Sequence, residues 1–140
     1  MNKCIFCQIV KKELAAYVIN ESENFVAFLD IYPHSPGHTI LIPKGHYDNF
    51  RKLPSLLGEE FLRVAQETMM ILSKALGNDD FTLGVNEGKL AGQVVPHFHF
   101  HIIPRFVNDG GGSIHAVVFN PQNFSLEEIY QKIKNASENS

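Results

Sequence analysis

Three histidines alternate with apolar residues in the segment PHFHFHIIPR, residues 96–105. Alternate side chains of a strand share a face, so the pattern predicts His97, His99 and His101 on one side and the intervening apolar residues in the core. Neighbouring imidazoles need hydrogen-bond partners when neutral and repel one another when charged. We therefore expect these three side chains to be used for chemistry or metal binding rather than for packing.

The spacing limits what a single metal ion could do here. At about 3.3 Å per residue, the backbones of His97 and His101 lie roughly 13 Å apart on a straight strand. Zinc holds nitrogen ligands at about 2.1 Å, so one ion would not easily bind all three imidazoles, although neighbours such as His97 and His99 could share one. At least one imidazole remains free, and the spacing alone does not decide which.

A free imidazole suits covalent phosphoryl transfer near neutral pH. One neutral imidazole attacks phosphorus, a neighbour protonates the leaving group, and further donors hold the phosphate oxygens. The segment NEGKLAGQ, residues 86–93, places Asn86, Gly92 and Gln93 just before the histidines, and glycine lets backbone N–H groups approach an anion closely. An ordinary glycine-containing turn is the alternative for this segment. A further histidine, His38, begins the run HTILIP.

The elements that would carry these residues follow from the apolar patterns. A long amphipathic pattern predicts a helix over 56–76 that ends at Gly77, a capping box predicts a C-terminal helix that begins at Ser125, and a short helix is expected over 9–15. Helices do not alternate regularly with strands, so the fold class is α+β with antiparallel pairing. Strands are predicted in five β-branched and aromatic runs, at residues 17–20, 25–30, 38–43, 80–86 and 97–103.

Composition bounds the class of protein. The chain of 140 residues is 44% hydrophobic and 19% charged, which is typical of one globular domain. Its formal charge of −3, without a long basic run, does not favour a nucleic-acid partner. No apolar run approaches the roughly 20 residues of a membrane span, and the N-terminus lacks a signal-peptide core, so we expect a cytoplasmic protein without a membrane partner.

Taken together, these segments resemble the histidine triad (HIT) family, whose signature is His-x-His-x-His followed by two apolar residues. The resemblance covers most of residues 3–106 and is strongest to the bacterial Hit/Hint branch, the purine nucleoside phosphoramidases and related nucleotide hydrolases. We expect residues 107–140 to form a C-terminal loop and helix of the same single domain. Three segments carry the resemblance: CIFCQIVKKEL is similar to the start of bacterial members, FLDIYPHSPGHTILIPKGH to the nucleoside-binding region, and VNEGKLAGQVVPHFHFHIIPR to the phosphate region.

The resemblance implies a five-stranded antiparallel sheet, usually in a homodimer, and hydrolysis at the α-phosphorus of a purine nucleotide derivative through a nucleotidyl-histidine intermediate. It makes His99 the nucleophile, assigns His101 to the phosphate and the leaving group, and gives His97 and His38 supporting roles. The substrate-binding residues that it implies are Asp30 for the ribose hydroxyls, Phe28, Ile31 and Leu14 around the base, and Asn86, Gly92, Gln93 and the backbone of Val94 for the phosphate oxygens.

Several alternatives stay open. Many family members carry Ser or Thr at the position of Val94, and a lost hydrogen bond typically matters by about 1–3 kcal/mol. The missing hydroxyl at Val94 therefore favours the alternative of a nucleotide-binding regulator or adaptor with negligible turnover. His101 favours hydrolysis, because members devoted to nucleotidyl transfer tend to carry Gln there. A phosphoramidate substrate is expected first and a dinucleoside polyphosphate second. Asp30 could also simply cap a turn, and Arg105 is left outside the site as a solvated charge at a strand exit.

Cys4 and Cys7 have the C-x-x-C spacing that lets two thiolates share one tetrahedral zinc. Two cysteines are too few for a disulfide scaffold, and in a reducing compartment such a pair indicates a metal or redox motif. A closed site needs two more ligands, for which His46 and His97 are the candidates; some bacterial members that this chain resembles carry such a Cys2His2 zinc site. Buried apolar thiols or a redox pair are the alternatives. No organic cofactor is expected, and His34 and His115 are interpreted as surface residues.

Overall fold

The computed structural model describes residues 3–121, 123 and 125–139. Within those residues, five strands form one antiparallel sheet of order β1-β2-β3-β5-β4. The predicted α+β class and the five antiparallel strands are therefore confirmed. The strands are β1 (Val18–Glu21), β2 (Phe25–Leu29), β3 (Thr39–Pro43), β4 (Phe81–Gly84) and β5 (Phe100–Pro104).

The central strands β2 and β3 are buried on both faces, as their nearly continuous apolar sequences require. One face packs on helix α2 (Gly58–Leu76) through Val64 and Ala65, and the other packs on helix α1 (Ile5–Val10) through Phe6. Burial of this apolar surface is the main free-energy gain that orders the sheet. The face beneath α1 is the one that matters for function, because the histidines lie on it.

Cross-strand pairing explains how His101 reaches that face. Directly opposed residues of an antiparallel pair point to the same side of the sheet. Phe28 pairs with Ile40, Ile40 pairs with His101, and His101 pairs with Gly84 on the edge strand β4. The row therefore runs from an aromatic ring through His101 to a residue without a side chain, which leaves space beside the imidazole.

The strand that carries the histidines is shorter than the sequence predicts. β5 begins at Phe100, so His101 lies in the sheet whereas His97 and His99 precede it. The segment before the strand bonds elsewhere: the N–H of Phe98 donates to the carbonyl of Tyr47 at 2.6 Å. The Phe98 ring is nevertheless 1% exposed, so the predicted alternation between core and histidine positions is confirmed there.

The long helix follows the prediction closely. A 3-10 turn at Ser55–Leu57 leads into α2, which ends at Gly77 with φ of 66°. The C-terminal helix α3 (Leu126–Glu138) begins at Ser125 with the predicted capping box formed. None of the described helices is long and apolar enough to cross a bilayer.

The expected helix over 9–15 is wrong in position. Helix α1 starts directly after Cys4, whose Sγ accepts a hydrogen bond from the N–H of Cys7 and caps the first turn. The helix is over by Lys12, which has φ of 62°, a left-handed conformation that ends helices. The displacement has a functional consequence, because it places both cysteines on the first turn.

Candidate active site and metal-type cluster

The three histidines separate into two groups in space. His97 is 0% exposed and turns toward the cysteines of α1, whereas the rings of His99 and His101 lie together with centroids 5.2 Å apart. Phe6 of α1 contacts both groups, with its ring centroid 5.7 Å from that of His97 and 5.1 Å from that of His99. One helix therefore supports both clusters, and the three imidazoles do not converge on one point.

One hydrogen bond determines which nitrogen of His99 is available. Nδ1 of His99 lies 2.8 Å from the carbonyl oxygen of His97. A carbonyl only accepts hydrogen bonds, so Nδ1 carries the proton and Nε2 of the neutral ring keeps its lone pair. His99 is thus held as the tautomer that a nucleophile requires.

A relay of hydrogen bonds places the proton of His101 on the opposite nitrogen. The backbone N–H of His34 donates to Nδ1 of His38 at 3.1 Å, so neutral His38 carries its proton on Nε2. That Nε2 lies 2.9 Å from Nδ1 of His101 and 3.6 Å from a carboxylate oxygen of Asp30. His101 Nδ1 therefore accepts, and its own proton sits on Nε2. The pair offers a lone pair on His99 and a donor on His101.

Burial favours the neutral form of His101 and of His38. Burial first, and then the neighbouring His99 and His38, together lower the pKa of His101 to about 4. Burial also lowers the pKa of His38, although the nearby Asp30 carboxylate acts in the opposite direction. Neutral rings are the form that the hydrogen-bond relay assumes, so the geometry and the electrostatics agree.

These lowered pKa values predict a pH dependence of stability. The unfolded chain binds a proton at His101 below about pH 6.5, whereas the folded chain does so only near pH 4, so the free energy of unfolding falls as pH drops through that window. Denaturant titrations at pH 7 and pH 4.5 should show a loss of about 1–3 kcal/mol attributable to this residue. In His101→Gln the free energy of unfolding should fall by about 1–3 kcal/mol less between pH 7 and pH 4.5 than it does in the parent. The same pH dependence of stability in the variant and the parent would contradict the lowered pKa of His101.

A cavity of about 220 Å³ lies beside the sheet and gathers the residues implied to bind the nucleoside. Leu14, Phe28, Asp30 and Ile31 all line it, and its wall is predominantly apolar. Asp30 also caps the next turn, because its Oδ1 accepts from the N–H of Tyr32 at 2.9 Å. One carboxylate oxygen of Asp30 therefore caps the turn, as the alternative interpretation expects, and Asp30 also lines the cavity.

A second cavity, of about 290 Å³, is lined by His101, His38 and Asn86. Gly84 also lines it, as the open end of the cross-strand row suggests. His101 thus faces a space large enough for a chemical group that leaves the reaction centre.

The remaining phosphate candidates lie in the loop before the histidines. Gly92 ends a 3-10 turn with φ of 93°, a conformation that favours glycine. The amide of Gln93 is occupied by backbone groups, since Nε2 donates to the carbonyls of Asp48 and Val95 and Oε1 accepts from the N–H of Gly88. Val94 is 88% exposed. The phosphate roles of Asn86, Gly92, Gln93 and Val94 stay predictions.

The second cluster has the geometry of a tetrahedral metal site. The ligand atoms of Cys4, Cys7, His46 and His97 all lie within 4.8 Å of one another. Nδ1 of His97 is 3.5 and 3.6 Å from the two sulfurs, Nδ1 of His46 is 3.2 Å from Cys7 Sγ, and the two Nδ1 atoms are 3.2 Å apart. Bonds of about 2.3 Å to sulfur and 2.0–2.1 Å to nitrogen put tetrahedral S and N ligands about 3.6 Å apart and two N ligands about 3.3 Å apart.

The partners of both histidines favour the same interpretation. Nε2 of His97 donates to the carbonyl of Pro43 at 2.9 Å, and Nε2 of His46 lies 3.2 Å from Oδ1 of Asp48. In each ring Nδ1 is left as the ligand atom, which is the usual orientation of metal-binding histidines. Burial and the neighbouring Cys4 raise the pKa of the Cys7 thiol, and a bound cation would act in the opposite direction. The donor set and its geometry fit zinc.

The sequence did not indicate three residues that take part in the site or in its surroundings. Phe6 carries no polar signal, His34 acts through its backbone N–H, and Arg105 is tied into the protein rather than solvated. Asp48, two residues after His46, is a signal that could have been read as a metal-site partner. His34 and His115 are exposed, as expected.

Comparison with known proteins extends these observations. A profile of the HIT domain matches residues 11–108. An uncharacterized HIT-like protein of Methanocaldococcus jannaschii is 42% identical over 132 residues, 94% of this chain and 98% of that protein. The adenosine 5'-monophosphoramidase HNT1 of Saccharomyces cerevisiae is 40% identical over 102 residues, 73% of this chain and 62% of that protein. The crystal structure of a HIT family protein from Bacillus anthracis has a TM-score of 0.83 at 30% identity and covers 99% of this chain and 98% of its own.

Proposed function

The chain belongs to the HIT domain family, and from that premise we propose that it is a nucleotide hydrolase that cleaves purine nucleoside phosphoramidates or related derivatives at the α-phosphorus. The observation that carries the proposal is the opposite tautomers of two adjacent rings: His99 with a free Nε2 and His101 with a proton on Nε2. That arrangement supplies a nucleophile and a general acid side by side.

The reaction would proceed in two displacements. Nε2 of His99 attacks the α-phosphorus, the phosphorus–nitrogen bond to the amine breaks, and the departing amine takes the proton from Nε2 of His101. The negative charge left on His101 is balanced by the positive charge that the nucleotidylated His99 ring acquires. Water then attacks the nucleotidyl-histidine, one of its protons returns to His101, and the nucleoside monophosphate leaves with His99 restored. His38 keeps Nδ1 of His101 hydrogen-bonded throughout, which holds the ring in the correct orientation.

Two cavities support this order of groups, one lined by Phe6, which contacts His99, and one lined by His101. The apolar cavity at Leu14, Phe28 and Ile31 suits a flat purine, and Asp30 at its edge can accept from ribose hydroxyls. The α-phosphorus of a nucleotide bound there would have to lie near His99. The name of the yeast relative, an adenosine 5'-monophosphoramidase, describes the same reaction class.

The covalent intermediate is the direct test. Incubation with adenosine 5'-phosphoramidate followed by an alkaline quench should give a protein heavier by one adenylyl group, because phosphoramidate bonds to histidine survive alkali. His99→Gly should not acquire the adduct, whereas His115→Gln, a change at an exposed ring, should acquire it as the parent does. Turnover by His99→Gly at the parent rate would refute the role of His99.

A nucleotide-binding regulator is the second candidate, favoured by the exposed Val94 in place of a hydroxyl residue. Tight AMP binding with no adenylyl adduct would support it. Comparing adenosine and guanosine phosphoramidates with dinucleoside polyphosphates would identify the preferred substrate within the hydrolase proposal.

We also propose that Cys4, Cys7, His46 and His97 hold one structural zinc. Bound there, zinc would supply no chemistry to the substrate; it would tie helix α1 to the loop that precedes β5. Cys4 and Cys7 form no disulfide in the structure, and thiolate metal ligands persist in a reducing compartment, which supports a cytoplasmic location.

A homodimer is proposed from surfaces that the single chain leaves uncovered. Strand β4 is an edge of the sheet, and helix α3 exposes apolar residues, with Leu126 91% and Ile133 61% exposed. Replacing Leu126, Ile129 and Ile133 together by glutamine should convert a dimer to a monomer in analytical ultracentrifugation. Glu127→Gln with Lys134→Gln, on the polar positions of α3, is the matched control. An unchanged sedimentation coefficient in the folded triple variant would contradict a role for α3.

A further inference from the structure

Arg105 anchors the chain immediately after the histidine strand. Its Nε and Nη2 donate to the two carboxylate oxygens of Asp109 at 2.7 and 3.1 Å, and its Nη1 donates to the carbonyl of Gly112 at 2.6 Å and to Thr82 at 2.9 Å. The Asp109 carboxylate also accepts from two backbone N–H groups of the same loop. This bidentate, partly buried pair is far more constrained than an ordinary surface ion pair.

The anchored loop directs the next residues back over the sheet. A Cβ at Gly111 would lie 2.8 Å from Nη2 of Arg105, so the loop closes tightly around the guanidinium. Beyond it, Ile114 and Val117 reach the cavity that His101 and His38 line. They also line a neighbouring cavity of about 310 Å³ beside Arg105 and Asp109, so the two spaces share a wall.

We propose that these joined cavities form the leaving-group subsite, that Ile114 and Val117 select the leaving group, and that Arg105 is the positioning residue that holds them there. The inference rests on the proposed hydrolase function. Because His101 protonates the departing amine, that amine must lie in the space that His101 faces. The ligand class is a primary amine with an extended apolar substituent, since Ile103, Ile114 and Val117 provide an apolar wall beyond the imidazole.

Narrowing the cavity tests the assignment. Two substrates are compared, adenosine 5'-phosphoramidate, which releases ammonia, and its N-butyl derivative, which releases butylamine. Val117→Trp should lower the ratio of kcat/KM for the butyl over the unsubstituted compound at least tenfold, because the indole takes the space of the chain. Val118→Trp is the control: Val118 is as exposed as Val117, at 70%, and lines neither cavity, so the ratio should stay as in the parent.

Releasing the anchor tests the positioning role. Arg105→Met should shift the same ratio at least threefold and should increase the rate of proteolytic cleavage between residues 107 and 117. Arg63→Met removes the exposed arginine of a helix ion pair with Glu67 and should change neither quantity. The ratio compares two substrates on one preparation, so a loss of folded protein does not move it.

The outcomes separate the two proposals. If the parent hydrolyses both compounds and neither Val117→Trp nor Arg105→Met changes the ratio, the leaving-group subsite is refuted while the hydrolase remains. A shift with Val117→Trp alone refutes the positioning role of Arg105. If the parent hydrolyses neither compound and forms no adenylyl adduct, the hydrolase itself is refuted, and the subsite with it.

Discussion

Replacing His99 by glycine should lower kcat/KM for adenosine 5'-phosphoramidate by at least about 10⁴-fold, because removing the nucleophile of a covalent mechanism typically costs this much or more. The loss follows from the hydrogen bond between Nδ1 of His99 and the carbonyl of His97, which leaves only Nε2 to attack. No other described imidazole shares this tautomer and also lies beside His101. Steady-state release of AMP is the measurement.

Chemical rescue distinguishes a lost nucleophile from a damaged fold. Free imidazole should restore part of the turnover of His99→Gly, since the deleted side chain leaves space of its own shape. The same addition should leave the turnover of His115→Gln unchanged, because that variant keeps the nucleophile and loses only an exposed ring. Loss of general acid catalysis should cost His101→Ala about 10²–10⁴-fold with amine leaving groups, and much less when the leaving group needs no proton. Equal losses on both kinds of substrate would contradict the assigned role of His101.

The second large effect concerns the cluster of Cys4, Cys7, His46 and His97. Cys4→Ser with Cys7→Ser should reduce bound zinc from near one per chain to near zero and should lower the free energy of unfolding by about 4 kcal/mol, the stabilisation that a ligand provides at a thousand times its dissociation constant. The sulfurs lie on the first turn of α1, so their loss frees the helix that packs Phe6 on the sheet and on His99. Elemental analysis and denaturant titration measure the two quantities.

A chelator experiment on the parent protein is the matched control for this prediction. Removing zinc from the intact chain should reproduce the destabilisation, and adding zinc back should reverse it, whereas the double serine variant should respond to neither treatment. Two results would show that the four residues do not form a structural zinc site. One is a parent protein that contains no zinc when it is purified without chelator. The other is a double serine variant with the same denaturant midpoint of unfolding as the parent.

Local patterns in the sequence predicted most of the elements and singled out the candidate reactive residues. Strand and helix types follow from apolar periodicity and from caps such as Ser125 and Gly77, which act within a few residues of themselves. The alternation of His97, His99 and His101 marked the site for the same reason, because the pattern is contiguous. The start of α1 was misplaced since its cap is a cysteine, which is not among the usual capping residues.

Assignments that depend on distant contacts needed the tertiary structure. The sequence left open whether His97 and His99 share a metal; the fold separates them by bringing His97 to cysteines 90 and 93 residues away. Which nitrogen of each ring carries the proton depends on partners such as His34 and His38, and the enclosure of Arg105 depends on Asp109 and Thr82. Spacing along a chain specifies which side chains share a face, but proton positions, ligand sets and cavity walls are set by atoms that only packing brings within a few ångströms.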